Sequence, residues 1–249
     1  MQGAGMSTVP SIFGDRRRRA RRARAVMRQR SPDPARWLIE AMAEDVTERL
    51  AFLRWQGQAA LFSGLGSELV AAQLGLPAPG DALDFAQPIA GGPYDAIVTL
   101  GELDTVNDLP GALINLRRAL APAGLLIAVI TGAGSLPRLR AALLAGDGDR
   151  PAARIHPQVD SRAASGLLAR AGFARQVVDE HVLTVRYPGM ERLIGDLRDQ
   201  GQTGVLLDRA PALGKAARDL ARSAFAAQAD ADGKVSERFA LLTLTAWQG

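Results

Sequence analysis

The sequence predicts an α/β protein built on a mainly parallel, doubly wound sheet that finishes with an antiparallel strand. Three observations predict it. Short apolar runs alternate with amphipathic stretches over most of the chain, which is the pattern of strand–helix–strand units. One such run, 59–62, ends at paired glycines immediately before a helix-compatible segment, as a nucleotide-binding strand–turn–helix does. The last two strand-like runs are separated by two helices, which suits a closing antiparallel strand.

Taken in order, Ser31-Pro32-Asp33-Pro34 punctuates the chain after a basic stretch. Residues 34–54 then read as an amphipathic helix, because Trp37, Leu38, Ala41, Met42, Val46 and Leu50 recur at three- and four-residue steps. Residues 58–62 are the first buried strand and 68–74 the first crossover helix. Pro77, Pro79 and Gly80 break the chain, 82–85 is a short second strand, Gly91-Gly92-Pro93 a turn and 94–100 a third strand. Residues 110–120 form a helix stopped by Pro122 and Gly124, and 125–130 the most apolar and central strand. Helices follow over 136–144 and 161–171, the latter ending at Gly172, with a loop over 146–157 between them. A long strand covers 177–185, helices 188–198 and 211–227, and a last strand 239–247 after the Asp232-Gly233 turn.

Composition narrows the function. The chain has 249 residues, 47% of them hydrophobic, enough for a substantial core in one domain with a helical elaboration. The longest apolar runs, 125–130 and 239–244, fall far short of the roughly 20 residues of a membrane span. There is no cysteine, which excludes disulfides and thiolate chemistry, and only His156 and His181 could offer imidazole, so a metal centre is not expected.

The charge is uneven. Residues 1–30 carry nine arginines against the single acid Asp15, a net of +8, so with +4 overall the remainder is close to −4. We therefore divide the chain into a basic N-terminal arm, 1–31, and an α/β domain, 32–249. The arginines recur at helical spacing (17/21, 18/22, 24/28), so the arm is a solvated helix face or a contact for an acidic protein partner through 16–30. Nucleic acid is the less favoured occupant, since no aromatic residues interleave the arginines. An Arg-rich start also resembles a transit peptide, but it lacks a long Ser-rich leader. Lys215 and Lys234 are the only lysines, a bias of GC-rich bacterial coding, and a bacterial cytoplasmic location is expected. Met1 and Met6 are both possible starts.

Ligands of doubly wound sheets bind beyond the carboxyl ends of the strands, so Ser63, Gly64 and Gly66 after the first strand, and Leu100, Glu102 and Asp104 after the third, are candidate site residues. Asp84, ending the short second strand, is a candidate ribose ligand. His156 in its loop and Tyr187 are weaker candidates. Each also has a plain structural reading: a tight turn for the glycines, a solvated or helix-capping role for the acids, and packing for Tyr187. No Ser–His–Asp constellation, phosphate loop or metal cluster can be assembled.

The element order resembles the class I S-adenosylmethionine (SAM) methyltransferases. Val106-Asn107-Asp108-Leu109-Pro110, Leu120-Ala121-Pro122-Ala123-Gly124, Leu167-Leu168-Ala169-Arg170-Ala171-Gly172-Phe173, and above all Val185-Arg186-Tyr187-Pro188-Gly189-Met190 with Asp196-Leu197-Arg198 and the end from Asp232 to Trp247 bring it closer to one branch. They resemble the methyltransferase-like arginine hydroxylases that assist assembly of respiratory complex I, and Ile12-Phe13 before an arginine-rich helix is similar to that family's opening segment. A malonyl carrier-protein methyltransferase is a more distant cousin.

The resemblance implies a Rossmann-like domain holding SAM at Ser63, Gly64, Gly66, Asp84, Leu100 and Glu102, with Asp104, His156 and Tyr187 on the substrate side. The departures gather at the cofactor. Phe62 stands where an acid is usual, Glu68 where a third glycine falls, and Asp104-Thr105 where the family has His-Trp. Only 27 residues separate Gly66 from Tyr94, so one βα unit is shortened. Two functions follow: a SAM-dependent enzyme modifying a protein substrate, or a catalytically inactive relative that binds proteins during complex assembly.

Overall fold

The computed structural model describes residues 10–77, 80 and 82–249. Met1, Met6 and the Pro79 break lie outside them. Within the described residues five strands, β1 (Ala60–Gly64), β2 (Tyr94–Leu100), β3 (Leu120–Thr131), β4 (Arg175–Tyr187) and β5 (Val235–Trp247), form one sheet in the order β1-β2-β3-β5-β4. β1, β2 and β3 run parallel, and β5 inserts antiparallel between β3 and β4. The helices are α1 (Asp15–Arg28), α2 (Trp37–Phe52), α3 (Ser67–Leu74), α4 (Leu109–Ala119), α5 (Pro137–Asp147), α6 (Ser161–Arg170), α7 (Met190–Asp199) and α8 (Lys215–Ala226).

The central position of β3 follows from its sequence. Residues 125–130 are buried on both faces, as a run without polar alternation requires. On one face Leu113 and Leu116 of α4 and Leu168 of α6 pack against Leu126 and Ala128 of β3. On the other, Leu38, Met42 and Val46 of α2 and Val70 of α3 cover Val98, Ile127 and Val129. A third cluster joins α5, α7 and α8 to the first half of β5 through Leu139, Leu193, Phe225 and Phe239.

Caps fix where helices start. Asp108 accepts the Gly111 amide at 2.9 Å to begin α4, and Asp160 accepts that of Ala163 at 2.7 Å to begin α6. α5 has no cap of its own. Glu237 of β5 supplies one from across the fold, accepting the amides of Arg138 (3.1 Å) and Leu139 (2.7 Å).

Several boundaries differ from the sequence expectation for identifiable reasons. β1 begins two residues later than expected, because Asp95 takes the amides of Gln58 and Ala59 (both 2.9 Å) and ladder pairing starts at Ala60. β4 and β5 pair along their full lengths, from Arg175 opposite Trp247 to Tyr187 opposite Val235, so both are longer than their apolar cores. The expected second strand at 82–85 does not form. Asp84 instead turns the chain: its side chain accepts the Ala86 amide at 3.1 Å and its carbonyl that of Gln87. No strand lies between α3 and β2 among the described residues, which leaves β1 at the sheet edge. The shortening anticipated from the 27-residue gap is thus real and falls beside the glycine loop.

The basic stretch packs onto the body. Asn107 accepts the amides of Ile12 and Phe13 (2.8 Å each) and donates to the Phe13 carbonyl at 2.9 Å. Phe13 also bridges to Leu206, and Arg21 and Ala25 of α1 are buried. None of the helices over described residues is long and apolar enough to cross a membrane.

Candidate functional site

β1 ends in the glycine turn at the carboxyl edge of the sheet, and β2 ends beside it at Leu100. Gly64 has φ +102° and Gly66 φ +90°, a region that disfavours side chains. Space is limiting as well: a Cβ on Gly64 would collide with the Leu100 carbonyl, and one on Gly66 with the Ile39 side chain of α2. Both glycines therefore allow close packing of the protein on itself. Within the turn, Ser67 donates to the Gly64 carbonyl at 2.8 Å, and the Gly66 amide donates to the Glu68 carboxylate at 3.1 Å. Glu68 thus takes an amide that the start of α3 would otherwise present to an anion.

Glu102 lies one residue past Gly101 and is engaged on both oxygens. Ser63, 1% exposed, donates its hydroxyl to one, and the Arg22 guanidinium donates to the other as an ion pair. Burial pushes the Glu102 carboxyl above its ordinary range, and the Arg22 charge and the Ser63 hydroxyl oppose that shift. Helix α1 thereby lies across the strand ends. The cavity left beneath it measures 170 Å3 and is bounded by Ile39 and Met42, Asp84, Leu100 and Gly101, and Gln202. Asp84 reaches this cavity from an exposed turn, not from a strand end.

The other candidates divide. Asp104 (7% exposed) and His156 (6% exposed) come into one buried neighbourhood with Arg21. The Asp104 oxygens and His156 Nδ1 have no hydrogen-bond partner among the described residues, while Arg21 donates to Thr105 Oγ1 at 3.1 Å. The His156 ring meets Phe13 edge-on at 5.8 Å. Burial lowers the His156 pKa, with the Asp104 charge opposing. Tyr187 sits elsewhere, packed with Leu193, Phe225 and Phe239 and not lining the cavity. Burial first, then the Asp196 carboxylate, raises its phenol pKa.

Sequence reasoning missed the contributions of Arg21, Arg22, Ile39 and Gln202. The 18/22 spacing carried part of the signal, since it puts Arg18 and Arg22 on one helix face, and both bear electrostatically on Glu102. Nothing local to Gln202 indicates that Thr131 will donate to it at 3.0 Å across 71 residues.

The aminoacyl end of SAM needs an acceptor for its ammonium group and donors for its carboxylate. Phe62 offers no acceptor and is 3% exposed, inside the core. The Gly66 amide is spent on Glu68, and Glu102 is spent on Ser63 and Arg22. The residues present do not fit the group as they are arranged. Among the described residues there is also no cluster of His, Cys, Asp and Glu able to hold a metal ion.

Comparison with known proteins agrees with the fold. A Bacillus halodurans protein solved as a candidate methyltransferase superposes with a TM-score of 0.51 at 14% identity, covering 81% of this chain and 98% of that one. In fold and sequence together, the chain is similar to the class I SAM-dependent methyltransferases. In sequence it is 30% identical over 162 residues to the mitochondrial arginine-hydroxylase NDUFAF5 of Danio rerio, covering 62% of this chain and 50% of that protein. It is 34% identical over 119 residues to the human protein of the same name, covering 47% and 34%. It is 28% identical over 161 residues to a malonyl-[acyl-carrier protein] O-methyltransferase of Xylella fastidiosa, covering 64% and 54%. The chain thus spans about half or less of the length of the arginine-hydroxylases it matches. No family model matches it.

Proposed function

We propose that this chain is a protein-binding member of the methyltransferase superfamily that works without SAM, in the complex-assembly role that the family resemblance implies. One observation carries the reading: the groups that would face a cofactor are already satisfied by the protein's own Arg22, Ser63 and Glu68. Displacing them would uncover a buried carboxylate, which is costly unless the ligand replaces both partners. Calorimetric titration with SAM, together with melting in millimolar SAM, tests it. No heat and no shift are expected. A ligand at a hundredfold excess over its Kd would raise stability by about 2.7 kcal/mol, and a shift of that size overturns the proposal.

A second reading, a SAM-dependent enzyme modifying a protein substrate, is favoured by the cavity that persists at Leu100, Gly101 and Asp84. On that reading Arg22→Ala opens the site and raises SAM affinity. On the first it leaves binding absent.

A further inference from the structure

A strongly basic groove of 830 Å3 runs between α1 and the segment 198–210, and apart from Arg21 it shares no lining residue with the cavity described above. Arg16, Arg17, Arg24 and Arg28 reach it from α1. Arg154, Arg198 and Arg209 face them from the loop after α5, the last turn of α7 and the loop that follows. No aspartate or glutamate lines the groove. Arg28 and Arg154 are neutralised nearby, by Asp199 and Asp147, but the other five have no carboxylate partner among the described residues. Like charges held this close raise the energy of the folded state unless something neutralises them. Between the arginines the lining is aliphatic, from Leu143, Ala153, Leu206 and Ala210.

The geometry points to a docking groove for an acidic segment of a partner protein, with its carboxylates on the guanidinium groups and an aliphatic side chain on the apolar lining. Guanidinium forks match carboxylates with two parallel hydrogen bonds. An apolar lining rewards a peptide side chain, whereas nucleic acid bases find no aromatic ring here on which to stack. Because the arginines come from three separate segments, the groove exists only in the folded chain. The inference rests on the protein-binding reading above, yet it uses a different surface: Arg21 is the one residue that borders both cavities.

The test uses the full chain and fluorescence anisotropy with a labelled peptide of glutamates interrupted by leucines. A glutamate-only peptide, a single-stranded oligonucleotide of matched charge and inorganic tripolyphosphate serve as competitors. The mixed peptide is expected to bind most tightly, and more weakly as salt rises. Reversing three exposed groove arginines (Arg24→Glu, Arg198→Glu, Arg209→Glu) should weaken it by about tenfold or more, and Arg198→Glu alone by less. The matched triple reversal Arg118→Glu, Arg162→Glu and Arg170→Glu, on exposed positions of α4 and α6, should change nothing. Equal binding by the groove variants overturns the proposal. Tighter binding of the oligonucleotide assigns the groove to nucleic acid instead, and equal competition by tripolyphosphate reduces it to a small-anion site. SAM binding in the titration above would remove the cofactor-free reading and leave the peptide result standing. Loss of peptide binding would do the reverse.

Discussion

Gly64 shows how a residue that reads as ligand-facing can be required by packing alone. Its positive φ and its approach to the Leu100 carbonyl exist with no ligand present. Gly64→Ala should therefore destabilise the free protein by about 2–5 kcal/mol, combining the left-handed backbone penalty with overpacking. A urea midpoint measured without SAM checks it, and an unchanged midpoint would mean that the glycine serves a ligand. Arg22→Ala leaves Glu102 without its ion partner and should cost about 1–2 kcal/mol at neutral pH, discounted because Arg22 is partly exposed. Since burial holds the Glu102 pKa above 4.5, the folded chain takes up that proton first as pH falls. The penalty of the variant should accordingly shrink towards pH 4.5, which denaturation at two pH values would show. His156 has the opposite sign. Its pKa is held below 6.5 by burial, so the unfolded chain protonates first and stability is lost as pH falls through 6.5. His156→Gln should flatten that part of the profile in paired denaturation series. The candidates on the strand ends were visible as residues, but their partners were not, because Arg22 and Ile39 arrive from helices far off in sequence.

Among elements, the ones that proved legible are those whose signal is internal. α2 declared itself by its apolar spacing and β3 by an unbroken apolar run, and α4 carries Asp108 at its start. Elements defined by a neighbour were not legible. The stretch 82–85 has strand-like residues but does not join the free edge of β1, and Asp84 instead accepts its own downstream amide. α5 was legible as a helix, but not its cap, which Glu237 supplies from 98 residues away. Glu237→Ala should remove that cap and cost about 1–3 kcal/mol, with amide exchange rising first at Arg138 and Leu139. The docking of α1 hangs in the same way on Asn107. Asn107→Ala should free residues 10–14 to limited proteolysis before any loss in the sheet, since three hydrogen bonds to Ile12 and Phe13 end on one side chain.

For the whole molecule, the skew in charge noted at the start of the chain has a structural destination. α1 lays its arginines over the acidic strand ends on one side and along the basic groove on the other. The likeness to methyltransferases was legible because the downstream motifs that carry it fix packing: Asp196 of the Asp-Leu-Arg segment accepts from Trp37 Nε1 at 3.2 Å and so ties α7 to α2. The self-satisfied arrangement of the glycine turn was legible only in outline, through Phe62, Glu68 and the short span to Tyr94. What replaced the missing unit is a tertiary matter, and no local pattern encodes it.

The placement of β5 also sets a timetable. Among the described residues β4 has no strand partner except β5, and β3 lies bare on that side until β5 arrives, although more than a hundred residues separate β3 from it. A ribosome that has released everything up to Lys234 therefore carries a three-stranded fragment with an open hydrophobic margin, beside a thirteen-residue strand with nothing to pair with. During synthesis that margin stays open until residues 235–247 pair with it.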